Sequence, residues 1–419
     1  MSSDPGAGYW RRSAPTDQRT EENAVRAVTW QGTHDMQVTE VPDPQIQEPT
    51  DAIIKVTSTG LCGSDLHLYE TLAPFMEAGD IVGHEPMGIV EEVGSSVTQL
   101  AVGDRVVVPF NVCCGSCWMC DQKLYSQCET TQNHEHGTGA SFFGYSKLYG
   151  QVPGGQAEYL RVPFADFLPV KVPHGPSDDR FLFLSDVLPT AWQAVKYADV
   201  PDGGTLLVLG AGPIGDMSAR MGVHLGYRVI SVDRVPERLA RVEKHGAGVV
   251  DLTEAEKLGG VGTFVRELTD GRGPDAVIDA VGMEAHGSPA ATGVQKFVGL
   301  LPDAVAEPMM KNAGIDRLAA LHTAIDAVRR GGTISISGVY GGALDPMPMF
   351  QLFDKQVQLR MGQANVRAHT DELLAILQDG DPWDVESFAT HHLPLDDAPD
   401  AYEKFQKKED GHVKVVFQP

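Results

Sequence analysis

The sequence lacks the features of an exported or membrane protein. It contains no apolar run near the ~18 residues that span a bilayer, and the polar stretch 1–23 has no signal-peptide hydrophobic segment. Basic residues are scarce: 33 Lys and Arg against 57 Asp and Glu give a formal net charge of -24. This charge argues against nucleic acid and anionic membranes as partners. We expect a cytoplasmic protein with a flexible tail over 1–23.

Cysteine is absent before position 62 and after position 128. Clustered thiols in a chain without an export signal favour metal binding over disulfides. Four of the six have spacings of 3, 3 and 8, which fits a closed Cys₄ zinc site of structural type. They are Cys114, Cys117, Cys120 and Cys128. Cys113 is left over, and we assign it no role.

A second candidate metal site lies in Leu61–His67 and the Gly-His-Glu that follows at 83–85. Cys62 and His84 are metal-ligating residue types and are interleaved with the carboxylates Asp65 and Glu85. No second thiol lies nearby, so a third ligand must come from far along the chain. The pattern predicts a catalytic zinc. By contrast, we interpret the histidines at 134 and 136 as part of a polar loop.

Two sequence patterns divide the chain into two parts. From Ala24, short β-branched segments bounded by Pro, Asp and Gly predict a small antiparallel, barrel-like domain. Two long loop segments extend from this domain: the Cys-rich lobe 111–128 and an aromatic stretch, 131–155. The aromatic stretch is expected to fold over a pocket or an interface. From about Ser185, strands and helices alternate, which predicts a doubly wound parallel sheet. The predicted strands there are 205–209, 228–232, 276–280, 333–337 and 357–361.

Two later features complete the predicted organisation. Residues 283–317 form a connection longer than a strand–helix loop requires, and we interpret them as an insertion. The chain ends in an apolar stretch, 413–417, predicted to be a strand that rejoins the first domain.

A dinucleotide-binding loop is predicted at Gly210–Gly215. Gly210, Gly212 and Gly215, with Pro213 and Ile214 between them, form a G-x-G-x-x-G that ends a predicted strand and opens a helix. Asp233 follows a second strand and can accept hydrogen bonds from ribose hydroxyls. It would repel a 2′-phosphate, so NAD is favoured over NADP. Arg234 beside it either softens that preference or covers the adenine.

Taken together, these motifs resemble the zinc-dependent medium-chain alcohol dehydrogenases over roughly residues 24 to 419. They are Leu61–His67, Gly83-His84-Glu85-Pro86, the Cys₄ lobe and the G-x-G-x-x-G. The resemblance implies a GroES-like catalytic domain, 24–190 plus 363–419, joined to a Rossmann NAD-binding domain, 191–362. It also implies two zinc ions per subunit and a homotetramer or dimer.

The third ligand of the catalytic zinc departs from the common pattern of that family. Many members use a Cys, whereas the matching stretch here, Leu184–Thr190, carries Asp186 in the ligand position. With Gly154–Tyr159 and the insertion, this resembles the glutathione-independent formaldehyde dehydrogenase branch. From the residues alone, Asp186 would instead be a helix-start residue ahead of Pro189.

The same resemblance implies roles for the neighbours of the metal. Ser64 takes the proton of the substrate hydroxyl and His67 carries it to solvent, whereas Asp65 orients His84 and Glu85 lies behind the metal. A solvated loop histidine and ordinary surface carboxylates are the alternatives.

The implied activity is hydride transfer to NAD from formaldehyde hydrate or from a small alcohol or aldehyde. A polyol or aromatic-alcohol dehydrogenase, an aldehyde dismutase with tightly held NAD and a non-catalytic protein stay open.

Overall fold

The structure, a computed structural model, describes residues 24–282, 318–340 and 347–419. These residues form two compact units, one within Met1–Pro189 and Ala364–Pro419 and the other within Thr190–Gln363. The predicted tail 1–23 and insertion 283–317 lie outside the described residues. Within the described stretches, no helix is both long and apolar enough to cross a membrane.

The first unit consists mainly of antiparallel strands. Its described strands are β1 (Ala24–Gly32), β2 (Asp35–Pro42), β3 (Ala52–Leu61), β4 (Asp80–Ile81), β5 (Glu85–Val93), β6 (Arg105–Val107), β7 (Gln132–Asn133), β8 (Thr138–Ala140), β9 (Tyr159–Val162), β10 (Val170–Lys171), β17 (His391–Pro394) and β18 (Val415–Gln418). Strand β3 is central: β5 pairs along one edge, and β9 and β18 share the other. The C-terminal strand therefore rejoins the first unit, as predicted.

Helices close this unit around its core. They are α1 (Asp65–Glu70), α2 (Trp118–Asp121), α3 (Asp179–Leu182), α11 (Val366–Asp379) and α12 (Ala398–Lys407). Tyr402 and Phe405 of α12 are buried in one apolar cluster with Leu61 and Phe417. This packing fixes the C-terminal helix beside the end of β3, where the first candidate site residues begin.

The second unit contains a parallel sheet. Its strands are β11 (Thr205–Leu209), β12 (Arg228–Asp233), β13 (Gly248–Asp251), β14 (Ala276–Asp279), β15 (Thr333–Ile336) and β16 (Gln358–Met361). The strand order is β13-β12-β11-β14-β15-β16, and every described pair is parallel. The order reverses at β11 and β14, as in a dinucleotide-binding fold. The predicted α/β class is confirmed.

Helices of the second unit follow its strands. They are α5 (Pro213–His224), α6 (Pro236–Lys244), α7 (Leu252–Lys257), α8 (Val261–Leu268), α9 (Ala319–Ala327) and α10 (Met349–Lys355), and α4 (Val187–Ala198) enters from the first unit. Strands β11 and β14 are buried almost throughout, which explains their continuous apolar sequence.

Candidate metal centre and cofactor-binding loop

Strand pairing brings the first predicted site residues together. Cys62 follows the last residue of β3, and His84 precedes the first residue of β5. Because Gly60 of β3 pairs with Glu85 of β5, the two side chains emerge at the same end of the pair. Asp186 arrives from a distant segment, between a 3₁₀ turn and α4, and is buried.

The three predicted ligands converge on one point. Asp186 Oδ2 lies 3.4 Å from Cys62 Sγ and 3.4 Å from His84 Nε2. Glu85 joins this group, and one ligand atom from each of the four residues lies within 4.8 Å of the others. The described residues contain one further cluster of this kind, the cysteines of the lobe.

The donor set of this centre fits a zinc ion. Tetrahedral donors with zinc bonds of about 2.0–2.3 Å lie about 3.3–3.8 Å apart, which matches the observed spacing. A thiolate, a carboxylate and a neutral imidazole carry two negative charges, which balance a divalent cation. Cys62, His84 and Asp186 are thus arranged as three candidate ligands of one metal ion, with Glu85 beside them.

The electrostatics of this centre also suit a cation. Burial, followed by the charge of Asp186, raises the pKa of the Cys62 thiol to about 11. Burial lowers the pKa of His84, but the charges of Asp65 and Cys62 outweigh it and raise the pKa well above the ordinary value. A bound metal cation would offset the charge of the carboxylates and favour the thiolate form of Cys62.

Asp65 contacts two of the candidate metal ligands, Cys62 and His84. Its Oδ1 lies 3.0 Å from His84 Nδ1, and its Oδ2 accepts a hydrogen bond from the Cys62 main-chain N–H at 3.0 Å. A proton held on Nδ1 leaves the lone pair of Nε2 directed at Asp186. The carboxylate is fully buried, so the alternative of an ordinary surface residue is wrong for Asp65.

Glu85 is paired with a lysine that the sequence did not indicate. Lys414, just before β18, donates to Glu85 Oε1 at 2.6 Å and to the Leu61 carbonyl at 3.1 Å. Both side chains are fully buried. Glu85 Oε2 has no hydrogen-bond partner among the described residues, and a Cβ at Gly60 would collide with it. This carboxylate is therefore confined beside the candidate metal ligands and is not a surface group.

The two predicted proton carriers occupy different positions. Ser64 Oγ lies 3.4 Å from His84 Nε2, on the ring nitrogen that faces the candidate metal position. His67 lies on α1, the short helix that Ser64 caps, and its main-chain carbonyl accepts a hydrogen bond from Thr71. The structure thus places Ser64 at the centre and His67 on the adjoining helix.

Aromatic residues surround His84. The rings of Phe110 and Tyr145 lie edge-on to the imidazole, at centroid distances of 5.8 and 6.4 Å. Tyr145 reaches this position because Gly144, at φ 55°, packs directly on the backbone of Gly83, where a Cβ would not fit. Tyr145, from the aromatic stretch 131–155, therefore contacts the candidate metal centre beside Phe110.

The four lobe cysteines form the second cluster. Cys117 Sγ lies 3.9 Å from Cys128 Sγ, close to the ~3.8 Å separation expected for thiolates that share a zinc ion. Main-chain N–H groups of Ser116 and Glu129 point at Cys114 Sγ and Cys117 Sγ, as they do around thiolates. All four ligand positions are filled by protein, so the site has the form of a structural one. Cys113 is buried in the adjacent core, outside the cluster.

The predicted cofactor loop lies at the carboxyl end of β11. Gly210 adopts φ 88°, and a Cβ on Gly215 would collide with the Gly210 carbonyl, so both positions require glycine. Gly212 is the N-cap of α5, and Pro213 and Ile214 begin that helix. Main-chain N–H groups at this helix start are available to a pyrophosphate.

Asp233 lies at the end of β12 and braces this loop. Its carboxylate accepts hydrogen bonds from the N–H groups of Ala211, Arg234 and Val235, at 2.7 to 2.9 Å. The side chain is thereby fixed beside the glycine loop. The side chain of Arg234 is exposed next to it.

Comparisons with known proteins agree with this architecture. Residues 48–173 match the alcohol dehydrogenase GroES-like domain, and residues 213–299 match the zinc-binding dehydrogenase domain. A zinc-type alcohol dehydrogenase-like protein, AdhB of Bacillus subtilis, is 41% identical over 400 residues, which cover 94% of this chain and all of that one. A glutathione-independent formaldehyde dehydrogenase of Pseudomonas aeruginosa is 33% identical, covering 91% and 94% of the two chains.

Solved structures give the same result. Alcohol dehydrogenase TADH from Thermus sp. ATN1 superposes with a TM-score of 0.78 at 34% identity and covers 94% of this chain and 99% of its own. The chain therefore belongs to the zinc-dependent medium-chain alcohol dehydrogenase family of oxidoreductases.

Proposed function

We propose that the protein is a zinc- and NAD-dependent dehydrogenase that oxidises formaldehyde, as its hydrate, or small alcohols and aldehydes. The observation that carries the proposal is the buried carboxylate of Asp186 beside Cys62 and His84. Many family members use a Cys there, and the carboxylate resembles the formaldehyde-oxidising branch. Relatives named formaldehyde dehydrogenase and formaldehyde dismutase, at 33% and 32% identity, support the same substrate.

Two zinc ions fit the donor sets of the first unit. Cys62, His84 and Asp186 would hold the catalytic ion, and the four lobe cysteines would hold the structural one. A zinc ion in the first set supplies a Lewis acid that lowers the pKa of a hydroxyl group. The carboxylate of Asp186 donates less electron density than a thiolate, so this acidity is higher than in a Cys₂His site.

Side chains of the protein then accept the substrate proton and orient the residues around the metal. Oxidation of the hydrate removes a hydride from its carbon and a proton from its oxygen, which yields formic acid. In this proposal Ser64 Oγ, which lies 3.4 Å from His84 Nε2, accepts that proton, and His67 passes it to solvent. Asp65 keeps His84 in the tautomer whose Nε2 is free, and Lys414 holds Glu85 by one oxygen.

NAD is the proposed hydride acceptor. The glycine loop supports a pyrophosphate at the start of α5, and the charge of Asp233 disfavours the 2′-phosphate of NADP. A dismutase is the second candidate, favoured by the formaldehyde dismutase of Pseudomonas putida, which is 32% identical over 94% of this chain. In that case the cofactor stays bound, and a second aldehyde molecule oxidises NADH back to NAD and is itself reduced to the alcohol. The homotetramer or dimer and the cytoplasmic location stay predictions.

The test is a substrate screen on zinc-loaded protein. NADH formation is measured with formaldehyde, a series of primary alcohols, sorbitol and benzyl alcohol, each with and without glutathione. The proposal predicts the highest kcat/KM for formaldehyde or another short substrate and no gain from glutathione. Higher values for sorbitol or benzyl alcohol would establish the polyol or aromatic-alcohol alternative. Methanol and formate in equal amounts without added NAD would establish dismutation. No turnover by protein with two zinc ions would refute a dehydrogenase.

A further inference from the structure

A chain of buried polar contacts runs from the C-terminal helix to the candidate metal centre. The hydroxyl of Tyr402, on α12, donates to Gln156 Oε1 at 2.9 Å. Gln156 Nε2 faces Asp65 Oδ2 at 3.4 Å and the Gly60 carbonyl at 3.2 Å. Asp65 in turn lies 3.0 Å from Nδ1 of His84, a candidate metal ligand.

The direction of these hydrogen bonds is fixed by chemistry. An ionised carboxylate and a carbonyl only accept, so the amide of Gln156 must present its NH₂ group to Asp65 and Gly60. Its oxygen then faces Tyr402, whose hydroxyl donates. Tyr402 thus holds the amide in the one orientation that supports the carboxylate.

The protein also builds a specific place for this glutamine. Its main-chain N–H donates to the Val82 carbonyl and its own carbonyl accepts from Val28 N–H. A Cβ at Gly83, next to His84, would collide with the Gln156 side chain, so glycine there admits it. Gln156, Tyr402 and Asp65 are all fully buried. Because all three are buried, a polar group left without its partner there costs free energy that water does not recover.

We propose that Gln156 and Tyr402 are positioning residues that hold Asp65, and through it His84, in the orientation needed to bind the metal. This inference rests on the proposed metal-binding role of Cys62, His84 and Asp186. Through it the C-terminal helix controls how tightly the catalytic zinc is held. Without the Tyr402 hydroxyl, the amide loses the donor that fixes its orientation, and a rotated amide turns its oxygen toward the Asp65 carboxylate.

The size of the effect follows from the distance to the metal. Loss of an outer-sphere partner costs about 10- to 100-fold in metal affinity. Gln156→Met removes the direct support of Asp65 and belongs in that range. Tyr402→Phe acts one residue further away, and we expect a loss of about three- to tenfold. The lobe zinc should be unaffected in both variants, because the lobe cysteines take no part in the described contacts that run from Tyr402 through Gln156 to Asp65.

The experiment compares Tyr402→Phe and Gln156→Met with a matched control, Tyr69→Phe. Tyr69 is buried in the same cluster, 5.7 Å from the ring of Tyr402, but lies outside the hydrogen-bonded chain. Zinc affinity is measured by chelator competition. The visible absorption of the Co²⁺-substituted protein reports the ligand geometry independently of activity.

The proposal predicts a lower affinity for the catalytic zinc and an altered Co²⁺ spectrum in Tyr402→Phe and Gln156→Met. The control variant Tyr69→Phe should have the affinity and the spectrum of the wild type. Wild-type zinc affinity and spectrum in both variants would overturn it, as would an equal loss in Tyr69→Phe. If one variant fails to fold, the other decides by the same criteria. A wild-type protein that binds only the lobe zinc would instead refute the proposed function.

Discussion

The buried pair of Lys414 and Glu85 gives the sharpest quantitative prediction. Replacement of Lys414 by Met removes the ammonium group that lies 2.6 Å from Glu85 Oε1, in a place where neither side chain is exposed. The other oxygen of Glu85 has no hydrogen-bond partner among the described residues, so little remains to compensate the carboxylate. Removal of one partner of a buried ion pair costs about 3–5 kcal/mol, and we expect a loss of this size in the free energy of unfolding.

A double variant separates the charge from the packing. Glu85→Gln alone leaves Lys414 uncompensated and is expected to cost a similar amount. In Glu85→Gln with Lys414→Met, no charge of the pair remains, so most of the loss is recovered. The single variants together would cost about 6–10 kcal/mol if they were independent. A strongly favourable coupling energy is therefore expected.

The assay is chemical denaturation followed by far-UV circular dichroism, at one fixed free zinc concentration because bound zinc adds stability by mass action. Zinc content is measured on the same samples. A loss below about 1 kcal/mol for Lys414→Met, the value typical of an exposed pair, would refute this account of the pair. Additive losses in the double variant would refute it as well.

Three further predictions concern other parts of the molecule. Cys120→Ser should lose the lobe zinc and keep the catalytic one, whereas Cys113→Ser should keep both; metal analysis that finds equal losses in the two would contradict the Cys₄ assignment. Asp233→Ser should raise the ratio of kcat/KM for NADP to that for NAD by about tenfold, equivalent to 1.4 kcal/mol, and an unchanged ratio would remove Asp233 from cofactor selection. Burial opposes ionisation of Asp178, but hydrogen bonds from two hydroxyls and the Arg105 guanidinium outweigh it and lower the pKa of this carboxyl. Asp178→Asn should therefore lower the free energy of unfolding by about 1.5–3 kcal/mol at pH 7. This loss should shrink as the pH falls below about 4, through the ordinary and then the lowered pKa of the carboxyl. A loss that does not depend on pH in urea unfolding would contradict this prediction.

Local patterns were sufficient to predict the fold class, although strand β13 was not among the predicted strands. The apolar runs at Thr205–Leu209 and Ala276–Asp279 are strands buried on both faces, and their continuous hydrophobicity is a property of the segment itself. The cofactor loop could likewise be predicted from its glycines, because the backbone geometry there excludes other residues. The same is true of the C-terminal strand, whose apolar sequence needs a covered place in a sheet. Its predicted return to the first unit is observed.

The surroundings of the metal centre were less accessible to sequence reasoning. Glu85 and Lys414 are 329 positions apart, and Gln156 and Tyr402 are 246 apart. Nothing in either local sequence indicates the partner, because contacts of this kind depend on how strands and helices pack. A lysine inside a terminal apolar strand was the one available signal for the first pair. Burial of Glu85 follows only once that strand is placed against β3.

The account's central claim is that Asp186 completes a zinc site with Cys62 and His84. The most direct measurement is the zinc content of Asp186→Ala beside that of the wild type, determined by metal analysis after extensive dialysis. We predict two zinc ions per chain in the wild type and one in the variant, with the lobe zinc retained and dehydrogenase activity lost. Two tightly held zinc ions and undiminished activity in the variant would contradict the claim.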